Sequence, residues 1–312
     1  MKNLLEKIKS IPDSRLVRKM IFLSKQIVLP GFDGIPLYDV TEFLIRGLTR
    51  GYITNRAAAV SFSFFIAIFP FLIFLFTIIP FIPIKNFQDS LLNLLSEVLP
   101  QMAWESVKVT ITDIITKPRS SLLFLNLILT LYFASNGVNS LIEAFNNTYH
   151  VIEARSVVKQ YLISLFLVLV ISLLLILAIG LMTFGSQILY WLLPDTVEEG
   201  VFVVIVLNIL KWITVLILLL LAISFAYYYA PARSARYRFI SAGSMLATLL
   251  IILTTLGFNY YVDNFSTYNL LYGSIGTVLI VLLWIYFNAI SLLIGFELNV
   301  SIIHVGKRKK PG

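Results

Sequence analysis

The chain contains no cysteine. That removes disulfides, thiolate metal sites and cysteine nucleophiles together. Histidine is nearly as scarce, with only His150 and His304. Hydrolytic metal centres need clustered His, Asp, Glu or Cys ligands, and no HExxH or histidine-rich pattern exists here. A Walker loop, a GxSxG elbow and a Rossmann glycine pattern are also missing. The same holds for the aromatics on a basic sheet that read single-stranded RNA. The expectation is a protein that is not an enzyme, with no metal, no cofactor and no nucleic-acid partner. Charge is the third scarcity. Charged residues make up 13% of the chain and hydrophobic ones 59%, whereas soluble domains run near a quarter charged.

What fills the chain instead is apolar sequence. From Ala57 to Ile82 there is no Asp, Glu, Lys or Arg. A membrane crossing needs about 20 apolar residues at about 1.5 Å each, so this run is long enough. Arg56 stands at its door, small residues (Ala57, Ala58, Ala59, Ser61, Ser63) line its first turns, and Pro70 is expected to break the helix in its middle. Six spans are read in all: Ala57 to Phe81, Leu122 to Ile142, Tyr161 to Phe184, Val201 to Tyr229, Phe239 to Val262 and Gly276 to Ile303. The fold class is therefore all-α, a polytopic bundle of six transmembrane helices with amphipathic interfacial helices. Tyr190, Trp191, Tyr227 to Tyr229, Tyr260 and Tyr261 are read as interfacial belts.

Three parts follow. Residues 1–56 form a basic arm with helical apolar spacing (Leu16, Val17, Met20, Ile21, Leu23, Ile27, Val28), a turn over Gly31 to Pro36, and a short helix from Tyr38 to Arg50 that bends into the first span. Residues 57–303 are the membrane domain. Within it, residues 84–121 read as two amphipathic helices parted near Pro100, able to cap a cavity or rest on the membrane surface. Residues 304–312 are a basic tail. No secretory signal peptide is read at the start. Nineteen of the 24 Lys and Arg fall in the arm, the second-to-third and fourth-to-fifth connections, and the tail. That bias predicts both termini on the cytoplasmic side, and it accounts for the net charge of +8 without invoking nucleic acid.

Polar groups inside the spans are the candidate site, because a charge there is costly unless paired or hydrated. Lys211 is counted ten residues into the fourth span, near the midplane. Asn136 and Asn288 are placed at comparable depth. Tyr132, Asn136, Asn139, Glu143 and Asn147 share one helix face. Lys211, Asn136, Asn139 and Asn288 are expected to line a polar cavity for an anionic lipid or amphiphile. Arg56, Glu143 and Glu297 are expected to cluster at the cytoplasmic ends of their helices, as a structural lock or as a gate. Gly243 and Ala247, four apart, suit close helix packing.

Several of these stretches occur together in one order. They are Arg56-Ala-Ala-Ala with Phe69-Pro70; Asn139-x3-Glu143-Ala-Phe-Asn146; Tyr229-Ala-Pro231; Tyr268-x3-Tyr272-Gly-Ser-Ile-Gly276; Trp284-x-Tyr286; and Gly295-Phe-Glu297-Leu-Asn299. With them, residues 40 to 303 resemble the YihY/BrkB family of bacterial inner-membrane proteins. The resemblance implies six spans with both termini inside, in the bacterial cytoplasmic membrane. Members of that family have been linked to serum resistance and to export of a lipopolysaccharide precursor. Some have also carried the name ribonuclease BN, read here as a mistaken transfer. The expected function is a transporter or flippase-like protein for a lipid or anionic amphiphile, driven by a gradient, passive, or powered by a partner. The alternative is a structural or assembly protein of the envelope. Membrane lipids are the expected partners, with a homo-oligomer or an envelope protein as further options.

Overall fold

The computed structural model describes residues 22–29, 31–81, 117–148, 151–152, 155–192, 201–232, 238–264 and 274–309, with scattered positions between 88 and 113. The amphipathic reading of residues 1–21 and most of the segment 84–121 fall outside them. Among the described residues seven longer helices follow in chain order: α1 (Leu37–Arg50), α2 (Ile53–Ile78), α3 (Ser120–Asn146), α4 (Val157–Leu192), α5 (Val201–Tyr229), α6 (Ala242–Asn264) and α7 (Ser274–Lys309). A 3-10 turn, Ile79–Phe81, prolongs α2. Between α3 and α4, Asn147–Thr148 (β1) pairs antiparallel with Val151–Ile152 (β2).

Helices α2 to α7 are each long and apolar enough to cross a membrane. The shortest of the six spans, Ala242–Val262, has 21 residues, about 31 Å of helix against about 30 Å of hydrocarbon. They pack as a closed ring in chain order. Helix α2 lies on α3, α3 on α4, α4 on α5, α5 on α6, α6 on α7, and α7 returns to α2. One core runs through the ring, with Val60 from α2, Phe145 from α3, Leu167 from α4, Tyr227 from α5, Ala247 from α6 and Phe296 from α7. Three of these come from alternate members, so they meet across its middle. The Phe145 and Phe296 rings stack at 4.3 Å, and Tyr227 lies edge-on at 5.4 Å and 5.6 Å from them.

The tightest contact joins α6 to α7. A Cβ added to Gly243 would lie 2.1 Å from the Gly295 carbonyl oxygen, and one added to Gly295 would lie 2.7 Å from the Ala247 Cβ. Only glycine lets the two backbones meet this closely. The small-residue pair expected at Gly243 and Ala247 is therefore half of this contact, and Gly295 is the other half. Helices α2 and α3 are joined by a hydrogen bond between the Ser63 and Ser140 hydroxyls at 2.7 Å. A second bond runs from Asn126 Nδ2 to Thr77 Oγ1 at 3.2 Å, 14 residues before Ser140 in α3.

Segment 31–50 forms a second core on α7. Phe32, Ile35, Val40 and Phe43 are buried with Leu298, Ile302 and Val305, and the Phe43 ring stacks on His304 at 5.0 Å. The expected turn is present, with Gly31, Asp33 and Gly34 at positive φ. Tyr52, at φ 47° and ψ 41°, makes the elbow between α1 and α2.

Four expectations change. Pro70 lies inside α2, which runs through it from Ile53 to Ile78. Its missing N–H costs one hydrogen bond, to the Ile66 carbonyl, without ending the helix. The first span starts at Ile53, earlier than Ala57, because Arg56 is drawn into the bundle end. Tyr227 is 1% exposed and is a core residue; Tyr228, Tyr229, Tyr260 and Tyr261 stay exposed. The basic tail is helical to Lys309, since α7 continues through it.

Candidate functional site

The polar groups gather at one end of the ring, called the terminal face because α1 and the end of α7 pack there. Arg56 sits in the first turn of α2 and reaches two other helices. Its Nη2 donates to Glu297 Oε1 at 2.5 Å. Its Nη1 donates to the Ala144 carbonyl at 2.8 Å and the Asn147 carbonyl at 3.2 Å. Those carbonyls are at the C-terminus of α3, where a helix carries partial negative charge and lacks intrahelical donors. The side chains of Arg56 and Glu297 are 10% and 0% exposed. One guanidinium therefore ties together α2, α3 and α7.

Glu143 does not join that pair. Ala144 turns its carbonyl toward Arg56, while the Glu143 side chain, one residue back and about 100° round the helix, is exposed. It accepts from Asn139 Nδ2 at 2.9 Å, and Gln160 Nε2 donates to Asn139 Oδ1 at 2.8 Å. These groups form one wall of a cleft of about 280 Å³ lined by Asn139, Glu143, Asn146, Asn147, Arg155, Val157, Gln160 and Tyr161. Arg155 forms another wall. Its Nη2 donates to the Pro231 carbonyl at 2.5 Å, while Nη1 is buried without a hydrogen-bond partner. Burial lowers the Arg155 pKa from its ordinary value, but a guanidinium stays charged at neutral pH. Asn146 Oδ1 accepts from the Ala232 N–H at 2.8 Å, so the connections after α3 and after α5 are bonded to each other beside the cleft.

Lys211 is elsewhere. The aromatic trio gives a common level. From Phe145 to Asn136 is about 13 Å of helix and from Phe296 to Asn288 about 12 Å, whereas from Tyr227 to Lys211 is about 24 Å. Asn136 and Asn288 share a depth, and Lys211 lies about 11 Å beyond it along its own helix. Counting from the start of α5 sets Lys211 level with Asn136 and Asn288, whereas measured from the aromatic trio it lies further along its helix. Lys211 is half-buried and forms no hydrogen bond or ion pair with another described residue. Asn288 Nδ2 donates to its own helix at Trp284 O, and Oδ1 is buried without a partner. Tyr132, at the deep end of the α3 stripe, is 51% exposed. The stripe thus runs along the outside of α3 into an open cleft and does not enter the ring.

Three groups here had no individual signal. Gln160 and Arg155 are isolated polar residues at a helix start, read only as loop charge or not at all. Asn299 was visible only within a motif. Its Oδ1 accepts from the Gly243 N–H at 2.8 Å, and its Nδ2 donates to Ser241 Oγ at 2.8 Å. It therefore caps the start of α6 from α7. Among the described residues no three His, Asp or Glu side chains are grouped to hold a metal ion.

Six long apolar helices closed into a ring define a multi-pass membrane protein. The chain belongs to the BrkB family: residues 44–312 match the family model described as Virulence factor BrkB. It is 30% identical over 256 residues to the ribonuclease-like protein YfkH of Bacillus subtilis (strain 168), covering 82% of this chain and 91% of that one. A UPF0761 membrane protein of Alteromonas mediterranea is 36% identical over 91 residues, which is 29% of this chain and 31% of the relative. A UPF0761 membrane protein of Xanthomonas campestris pv. campestris (strain B100) is 37% identical over 76 residues, 24% of this chain and 18% of the relative. No solved structure matches. The resemblance read from Arg56, Glu143, Glu297 and their neighbours is thus borne out.

Proposed function

We propose that the protein moves a lipid or another amphiphile with an acidic group across the bacterial cytoplasmic membrane, with both termini on the cytoplasmic side. The observation that carries this reading is the polar stripe on α3, exposed at Tyr132 and Glu143 and half-buried at Asn136 and Asn139 between them. Tyr132, Asn136, Asn139 and Glu143 extend over about 16 Å of a membrane-length helix and end in the cleft that holds Arg155. Polar groups facing hydrocarbon are costly, and a passing headgroup or its water would satisfy them while the acyl chains stay in lipid. The clustering of Lys and Arg on the terminal side supports the orientation. The name ribonuclease-like belongs to the Bacillus relative. We infer no such activity here, because among the described residues no His, Asp and Glu side chains are grouped as a hydrolytic metal centre requires.

The test is reconstitution into vesicles carrying fluorescent phospholipid, with a heat-inactivated control. Wild type is expected to accelerate lipid exchange between leaflets, and Asn136→Leu with Asn139→Leu to slow it several-fold without a change in folding. No acceleration by wild type across neutral, anionic and zwitterionic lipids would overturn the reading.

A second reading is a structural or assembly protein of the envelope. The Arg56–Glu297 pair and the Gly243–Gly295 backbone contact favour it, since both hold helices together with no room to part. Under this reading, stripe variants would leave vesicle permeability unchanged, and Arg56 variants would lower stability alone.

A further inference from the structure

The cleft at the terminal face holds one exposed carboxylate and one guanidinium that do not pair. Glu143 and Arg155 both line it, yet among the described residues neither forms a salt bridge. Each is held by its own neighbours. Asn139 Nδ2 donates to Glu143 Oε1 at 2.9 Å, and Gln160 steadies Asn139 from α4. The Pro231 carbonyl takes Arg155 Nη2 at 2.5 Å, which leaves the buried Nη1 with no acceptor. A charged donor without an acceptor is costly when buried. A bare anion on the Arg155 side of the cleft would meet the Glu143 carboxylate in the same small space. A bare cation would suit Glu143 and meet Arg155. A ligand with both charges satisfies both walls.

We infer that this cleft binds a zwitterionic phosphate ester carrying an amine, with the phosphate on Arg155 and the ammonium on Glu143 and the Asn139 oxygen. Guanidinium and phosphate match in geometry and form strong charge-assisted hydrogen bonds. The ammonium has three donors and finds carboxylate and amide acceptors opposite. The volume of about 280 Å³ lies just below the range of about 300–1,000 Å³ typical of drug-sized ligands, so it suits a headgroup and not a whole lipid. Two sources share this chemistry: the headgroup of an aminophospholipid, whose chains would lie along the exposed Tyr132 side of α3, and a free phosphoamine from the aqueous side. The inference deepens the amphiphile reading by naming its headgroup class, and it rests on that reading for the lipid source.

Binding to the purified full-length protein in detergent is measured by calorimetry with three probes. These are dihexanoyl phosphatidylethanolamine, dihexanoyl phosphatidylglycerol and soluble phosphoethanolamine. Wild type is expected to bind the ethanolamine lipid at least fivefold more tightly than the glycerol lipid. Glu143→Gln weakens ethanolamine-lipid binding about tenfold and narrows that preference, because the anionic lipid loses a repulsion while the zwitterion loses a partner. Arg155→Gln weakens both lipids. Lys159→Gln removes the same charge from an exposed neighbour outside the cleft and leaves all three affinities unchanged. Equal binding of the two lipids by wild type, or an unchanged ratio in Glu143→Gln with an intact unfolding transition, would overturn the inference. Glu143 is exposed, so its variant does not depend on Arg155 for folding. Soluble phosphoethanolamine binding as tightly as the short lipid assigns the free phosphoamine; binding more than tenfold weaker assigns the lipid. Binding without leaflet exchange in vesicles would remove the transport reading alone, and exchange with no probe binding would remove this site alone.

Discussion

Arg56 and Glu297 stand 241 positions apart in the chain and meet at 2.5 Å, one at the start of α2 and the other two thirds of the way along α7. Glu297 is wholly buried, and Arg56 Nη1 donates to the open end of α3. Removing one partner leaves an uncompensated buried charge, which typically costs about 3–5 kcal/mol, whereas replacing both with apolar groups is far milder. Glu297→Leu and Arg56→Met should each lower the unfolding midpoint in detergent sharply, and the double variant should recover part of the loss. The recovery is incomplete because Arg56 also caps α3. If the single losses simply add, the pair is not a coupled unit.

The α6–α7 contact predicts opposite outcomes for two glycines. Gly243→Ala forces a methyl into the Gly295 carbonyl and should destabilise by about 1–3 kcal/mol through overpacking. Gly257→Ala meets nothing within 4 Å and should be neutral or stabilising by up to about 1 kcal/mol, because glycine is a poor helix former. Paired thermal unfolding of the two variants checks this; equal effects would mean that α6 and α7 do not touch at Gly243.

Asn299 caps α6 from the neighbouring helix. Asn299→Leu removes the acceptor of Gly243 N–H and the donor to Ser241 in a buried place. Loss of such a cap costs about 0.5–2 kcal/mol. Asn299→Asp keeps the acceptor and should restore the Gly243 bond. Hydrogen exchange at the Gly243 amide distinguishes the two: protection lost with Leu, retained with Asp.

The absence of cysteine makes orientation easy to read. Val157 and Val109 are 85% and 80% exposed, one beside the terminal face and the other in the 84–121 segment between the first two spans. With both termini cytoplasmic, Val157→Cys should react with a membrane-impermeant maleimide only after cells are opened, and Val109→Cys in intact cells. The reverse pattern would invert the topology.

The helices were legible because charge-free runs near 25 residues leave little else to be, and Arg56, Glu143 and Glu297 stood out as the few charges at their margins. Which of them would meet was not legible. Neighbouring residues of a helix point about 100° apart, so Ala144 and Glu143 serve different partners although they adjoin. The level of Lys211 relative to Asn136 and Asn288 was not legible either: the start of one apolar helix does not say which residues of its neighbours lie beside it. Tyr227 could not be told from Tyr228 and Tyr229 by composition, since one of three adjacent rings turns inward and the others outward. Arg155 and Gln160 gain meaning only when α3 and α4 lie side by side.

The docking of segment 31–50 against Leu298, Ile302 and Val305 sets an order for biosynthesis. The ribosome makes this segment well before its partners. Until the sixth span has entered the membrane, Phe32, Ile35, Val40 and Phe43 have no surface to bury against, and Arg56 has no counter-charge. A nascent chain stalled before α7 would therefore expose an apolar patch and an unpaired arginine at the same end of the bundle, the kind of mark by which quality control tells an unfinished membrane protein from a finished one.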